Sequence, residues 1–89
     1  MERQEIFDKI KDIIGMGLEV EKVDFSEATH LRDDLGADSL DVFDMGCEID
    51  REFGIKTEAQ EMEGRWDEIT VGYLVDLVQK KMEEGRVTE

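Results

Sequence analysis

Apolar residues in this chain recur at helical spacing in three separate segments, and no two segments offer strands that could pair. Ile6, Phe7, Ile10, Ile13 and Ile14 make the first such face, with Asp8, Lys9, Lys11 and Asp12 opposite it. Gly15 and Gly17 predict its stop. A second helix is predicted to start at Asp38, whose side chain suits the N-cap, with Asp41 three residues on as a near capping box. Leu40, Phe43, Ile49 and Phe53 mark its apolar face, Val42 and Met45 flank that face, and Gly54 ends the helix. Residues 57–60 form another capping box and predict a short helix over 58–63. Thr70 caps the last helix, in which Val71, Leu74, Val75, Leu77, Val78 and Met82 recur; residues 84–89 are expected to fray.

Residues 18–37 have no sustained period. Leu18, Val20, Val23 and Phe25 alternate briefly with charges, but a lone strand is not stable. The segment therefore reads as a long loop whose apolar residues plug the core, with 26–29 as a single helical turn. A loop this long in a small domain points to function. Residues 64–68 read as loop, with Trp66 an apolar plug at the end of the bundle. The expected fold is all-α: one domain over 1–89, with three main helices, one short helix and a long loop between helices 1 and 2.

Charge bounds the partners. Twenty-five acidic residues against 11 basic ones leave a net charge of -14 in 89 residues. Such a surface repels a phosphate backbone and anionic membranes and complements basic proteins. No apolar run is long enough for a membrane span, and the N-terminus, Met1-Glu2-Arg3-Gln4-Glu5, does not read as a leader. One cysteine allows no internal disulfide, so a cytoplasmic monomer is expected. Cys47, inside the second helix, reads as a small buried hydrophobe. His30 reads as a solvated loop residue. Neither has the company that catalysis needs, and Asp33, Asp34 and Asp38 do not match a calcium loop, so neither an enzyme nor a metal site is expected. Gly15-Met16-Gly17 lacks the third glycine and the preceding strand of a dinucleotide loop.

Residues 34–41 read Asp-Leu-Gly-Ala-Asp-Ser-Leu-Asp. On residue chemistry alone, Ser39 is equally a helix cap or an outward-facing attachment point at a helix start, where a phosphodiester would be favoured by free N–H groups. This octet resembles the 4'-phosphopantetheine attachment motif of acyl carrier proteins. The similarity extends through Arg51-Glu52-Phe53-Gly54-Ile55 and Thr70-Val71-Gly72-Tyr73-Leu74-Val75 to essentially the whole chain.

The resemblance implies carriage, not catalysis. A phosphopantetheinyl transferase would load Ser39, with Asp38 and Leu40 completing the motif and Leu40 packing inward to anchor the helix start. The thiol of the arm would present acyl groups to acyl-transferring and condensing enzymes of fatty-acid, polyketide or specialised lipid synthesis. Residues 33–63 hold eleven acids against Arg51 and Lys56. The resemblance makes Asp38, Asp41, Asp44, Glu48 and Asp50 the docking surface for basic patches. Met45, Ile49, Val75 and Val78 are candidates to line an acyl shelter, or equally plain core.

Gly46 stands mid-helix, Arg51 stands where an acid is usual, the stretch from Phe53 to Val71 is long, and Thr57 stands near a usual proline. These departures hint at a specialised carrier. The alternative is an unmodified acidic helical module that binds basic partners through 33–63.

Overall fold

The computed structural model describes residues 2–19, 25–57 and 66–87, with side chains through residue 83. Three helices carry the fold: α1 (Arg3–Leu18), α2 (Ser39–Phe53) and α3 (Val71–Val87), with a 3₁₀ turn at Trp66–Glu68. Among the described residues there is no strand beyond an isolated antiparallel bridge, His30 to Thr70. The fold class is therefore the expected all-α one. The short helix expected over 58–63 lies outside the described residues, as do Val20, Val23, Gly64 and Arg65.

The central element is α1, which packs against both α2 and α3. Its Ile6, Ile10 and Ile14 are almost fully buried, and so are Val42 of α2 and Val71, Val75 and Val78 of α3. Full burial of such a side chain contributes roughly 1.5–3 kcal/mol. Phe7, Ile13, Phe25, Leu35 and Trp66 pack around this core. The Arg32 guanidinium stands 5.9 Å from the centre of the Trp66 ring.

Several boundaries differ from expectation. α1 does not stop at Gly15; it runs to Leu18 and closes on Glu19, whose left-handed backbone returns its N–H to the Gly15 carbonyl. Gly15 is buried within α1, three residues before its end, and does not terminate it. Residues 64–68 were expected as loop, but Trp66–Glu68 winds into the 3₁₀ turn. Residues 26–29 form one hydrogen-bonded turn, Thr29 N–H to the Ser26 carbonyl at 3.1 Å, not a helical segment. α3 is capped by the Thr70 hydroxyl, which accepts from the Tyr73 amide at 3.1 Å. It continues to Val87, into the stretch expected to fray.

The loop before α2 is stapled to the start of α3 by backbone alone. The Leu31 amide donates to the Ile69 carbonyl (3.0 Å), the Val71 amide to Thr29 (2.9 Å) and the Gly72 amide to Glu27 (2.9 Å). Arg3, the first residue of α1, closes the same corner. Its guanidinium grips both carboxylate oxygens of Glu27 (2.5 and 2.9 Å) and reaches Asp76 and Gln79 of α3 (2.7 Å each). Hydrogen bonding from Arg3 holds the Glu27 carboxyl below its ordinary range, and the two carboxylates raise the guanidinium further.

Candidate functional site: a serine at the start of α2

Two buried residues bracket the turn 32–36, which is exposed except for the half-buried Leu35. Leu31 and Ala37 are both packed into the core, and the Ala37 amide donates to the Leu31 carbonyl at 2.9 Å. Gly36 turns the chain with a φ of 75°, a conformation that costs glycine no Cβ clash. The chain then enters α2 through a reciprocal capping box. The Asp41 amide donates to the Asp38 carboxylate (2.9 Å), and the Asp38 amide donates to Asp41 Oδ2 (3.2 Å). Such a cap is worth about 1 kcal/mol.

This geometry separates the two readings of the serine. Asp38 is the N-cap, so Ser39 is the first helical residue and is not the cap. Its side chain is exposed. It sits where the free N–H groups of the helix end favour an anion.

Leu40 does not anchor the helix start from inside. It is 71% exposed, and Phe43 is 52% exposed. The buried face of α2 is Val42, Met45, Gly46 and Ile49. Leu40 lies two residues before Val42, more than half a helical turn away, and so faces outward. Phe43 and Cys47, at the third and seventh residues after Leu40, share its exposed side. Cys47, expected to be buried, is therefore an exposed free thiol. Spacing alone had two solutions here, one buried and one exposed, and Leu40, Phe43 and Cys47 satisfy the second.

Of the five acids assigned to docking, Asp38, Asp44 and Glu48 are exposed and Asp41 is half-buried. Asp38 and Asp41 are shared with the cap, and Glu48 pairs with Arg51 at 2.8 Å. Asp50 is committed elsewhere. It is half-buried and accepts from the Thr57 amide (3.0 Å) and hydroxyl (2.5 Å), fixing the chain after α2. Gly54 precedes that tie in a left-handed conformation, φ 65°, as expected of the terminator. No sequence signal linked Asp50 to Thr57, since the pair is created by the turn at Gly54.

Met45, Ile49, Val75 and Val78 are all buried in one cluster that α2 and α3 share with α1. His30 is half-buried, its backbone bridges Thr70, and its Nδ1 lies 3.7 Å from Asp34. Among the described residues, no group of three His, Cys, Asp or Glu side chains could hold a metal ion. No helix among them is long and apolar enough to cross a membrane.

Comparison with known proteins decides the family. Residues 8–78 match the family described as the phosphopantetheine attachment site. The chain belongs to the acyl carrier protein family. An acyl carrier protein of Thermotoga maritima is 41% identical over 80 residues, covering 90% of this chain and 95% of that protein. One from Saccharopolyspora erythraea is 34% identical over 77 residues, covering 86% and 78%. Among solved structures, an acyl carrier protein from Enterococcus faecalis, described for its high thermal stability, superposes with a TM-score of 0.72. It is 30% identical, and the match covers 91% of this chain and 99% of that one. Acyl carrier proteins are carriers and not catalysts. The matched region runs from within α1 through the turn and α2 to Val78 in the first half of α3, so the serine at the start of α2 falls within the attachment-site family match.

Proposed function

We propose that Ser39 is the attachment point for 4'-phosphopantetheine, loaded from coenzyme A by a phosphopantetheinyl transferase. The observation that carries this is the exposed Ser39 at the first position of α2, with Asp38 doing the capping. Its exposed hydroxyl would attack the pantetheine-side phosphorus of coenzyme A, breaking the pyrophosphate bond, releasing adenosine 3',5'-bisphosphate and giving its proton to a base of the transferase, and the helix N-terminus beside it favours the resulting phosphodiester. The group, when bound, supplies a thiol that holds an acyl chain as a thioester. The protein's own part is to keep Ser39 at one fixed place, through Leu31, Ala37 and the capping box, and to surround it with charge that basic enzymes recognise.

Asp38, Asp41, Asp44 and Glu48 supply that charge, and the exposed Leu40 and Phe43 lie beside it as apolar contacts. Asp50 contributes structure instead. Docking of this kind is fast, weak and sensitive to salt. Met45, Ile49, Val75 and Val78 form the core between α2 and α3 that an acyl chain would part. A monomer in the cytoplasm suits both the single free thiol of Cys47 and the strongly negative surface.

Intact mass after incubation with coenzyme A and a broad-specificity phosphopantetheinyl transferase tests the assignment. The wild-type chain gains one phosphopantetheine and Ser39→Ala gains none. No gain in the wild type, or an equal gain in the variant, refutes the assignment and favours an unmodified acidic interaction module.

A further inference from the structure

Arg32 stands in the turn that leads to Ser39, and its charge is opposite to that of its neighbours. From Phe25 to Asp41 the chain carries five acids, Glu27, Asp33, Asp34, Asp38 and Asp41, against Arg32 and the half-buried His30. Four of the acids have set tasks. Glu27 is gripped by Arg3, Asp34 accepts from the His30 amide at 2.7 Å, and Asp38 and Asp41 share the cap of α2. Arg32 is held more loosely. Its Nη1 lies 3.7 Å from Asp67 Oδ2, beyond hydrogen-bond length, and its guanidinium stands 5.9 Å from the Trp66 ring centre, near the outer limit of a cation–π contact. The Arg32 and Asp67 side chains are both about half exposed. A surface pair of this geometry contributes little to the fold and is open to exchange.

The backbone returns Arg32 to the start of α2. Its carbonyl accepts from the Gly36 amide at 3.0 Å, beside the bond from the Ala37 amide to the Leu31 carbonyl. Ser39 follows two residues after Ala37, at most roughly 7 Å of extended chain. The 3₁₀ turn that carries Trp66 and Asp67 packs against α2 as well, and the Ile69 carbonyl that follows it accepts from the Leu31 amide. Arg32 therefore stands where the turn, the 3₁₀ segment and α2 meet.

A phosphodiester on Ser39 adds one more negative charge to these acidic surroundings. The helix end offsets only part of it. Arg32 is the only arginine or lysine between Phe25 and Asp41. We infer that Arg32 is the counter-charge of the phosphodiester on loaded Ser39, its guanidinium leaving Asp67 for the phosphate and so moving relative to the Trp66 ring. A guanidinium suits this exchange because it is planar, permanently charged and grips phosphate oxygens through paired N–H groups. The inference rests on attachment at Ser39, and the test below separates the two.

Trp66 is the only tryptophan of the chain, so its emission reports this corner alone. The full-length wild type, Arg32→Gln and Arg51→Gln are incubated with coenzyme A and a broad-specificity phosphopantetheinyl transferase until intact mass shows complete loading. Tryptophan emission is compared before and after loading, and in the isotope-labelled wild type so is the Nε–H resonance of Arg32. Circular dichroism of the unloaded variants checks that the fold is kept. On loading, wild-type emission shifts and the Arg32 Nε–H resonance moves, and high salt weakens both responses. Arg51→Gln, which removes the same charge from another part of the surface, responds as the wild type does. Loaded Arg32→Gln loses the emission shift. The Arg32 resonance decides the matter in the wild type alone, should that variant load incompletely. A loaded wild type with an unmoved Arg32 resonance, or a loaded Arg32→Gln with the wild-type emission shift, overturns the inference and leaves attachment standing. A wild type that gains no mass overturns both.

Discussion

Gly72→Ala should destabilise the protein, although alanine is the better helix former. Gly72 is buried at the second position of α3, and its amide donates to the Glu27 carbonyl at 2.9 Å. A Cβ built on Gly72 would lie 2.9 Å from that same backbone oxygen and 3.1 Å from the Glu27 Cβ. The neighbour cannot withdraw cheaply. The loop around it is held by the Thr29 carbonyl on Val71, and the Glu27 side chain is gripped by Arg3. Overpacking of this kind costs about 1–3 kcal/mol, and a strained hydrogen bond adds about 1 kcal/mol. The gain in helix propensity returns at most about 1 kcal/mol. The net loss is about 2 kcal/mol, which in a chain this size lowers Tm by roughly 8–16 °C.

Gly17→Ala is the control, because its new Cβ would make an ordinary 3.6 Å contact with Met45 inside a helix. It should stabilise by about 0.5–1 kcal/mol. Urea and thermal unfolding followed by circular dichroism read both, with unchanged m values expected. A Gly72→Ala protein as stable as wild type, or two variants that shift the same way, would refute the reasoning.

Two further predictions concern single contacts. Because Glu27 titrates below its ordinary range, the Arg3–Glu27 contact stabilises the fold above the unfolded glutamate pKa and is lost as pH falls through the lower folded value. Arg3→Met should therefore lower Tm at neutral pH, and its difference from wild type should shrink toward strongly acid pH; a difference constant with pH refutes this. Asp50→Ala removes both hydrogen bonds from Thr57 and should cost about 1–2 kcal/mol in thermal unfolding, while binding of a basic partner changes little; a large loss of binding with no loss of stability would return Asp50 to the docking surface.

What was legible in the sequence was local chemistry. Asp38 with Asp41, Gly54 and Thr70 each signal a helix end through a side chain or a backbone freedom that sits in the same few residues. The octet around Ser39 was legible in the same way. The rest depended on residues far apart in the chain. Leu40, Phe43 and Cys47 satisfy helical spacing as well as Val42, Met45 and Ile49 do, and only the position of α1 decides which set is buried. Gly15 resembles a terminator in sequence, yet it is a buried residue inside a helix that runs on to Leu18. The ties of Glu27, Thr29 and Leu31 to the start of α3 are made by backbone atoms, which every residue carries, so no pattern announces them. Asp50 looked like one more surface acid because its partner, Thr57, comes within reach only after the turn at Gly54.

Those backbone ties have a mechanical meaning. They run from the segment before α2 to the start of the last helix, so the two stretches of chain on either side of α2 are joined to each other as well as to the core. The serine between them is set in a frame closed on both sides. A long tether attached there would turn about a stationary pivot, and its whole freedom of movement would belong to the tether. Where its tip can reach would then be fixed by tether length and by the direction of α2, so a client enzyme need find the pivot once to know where the cargo arrives.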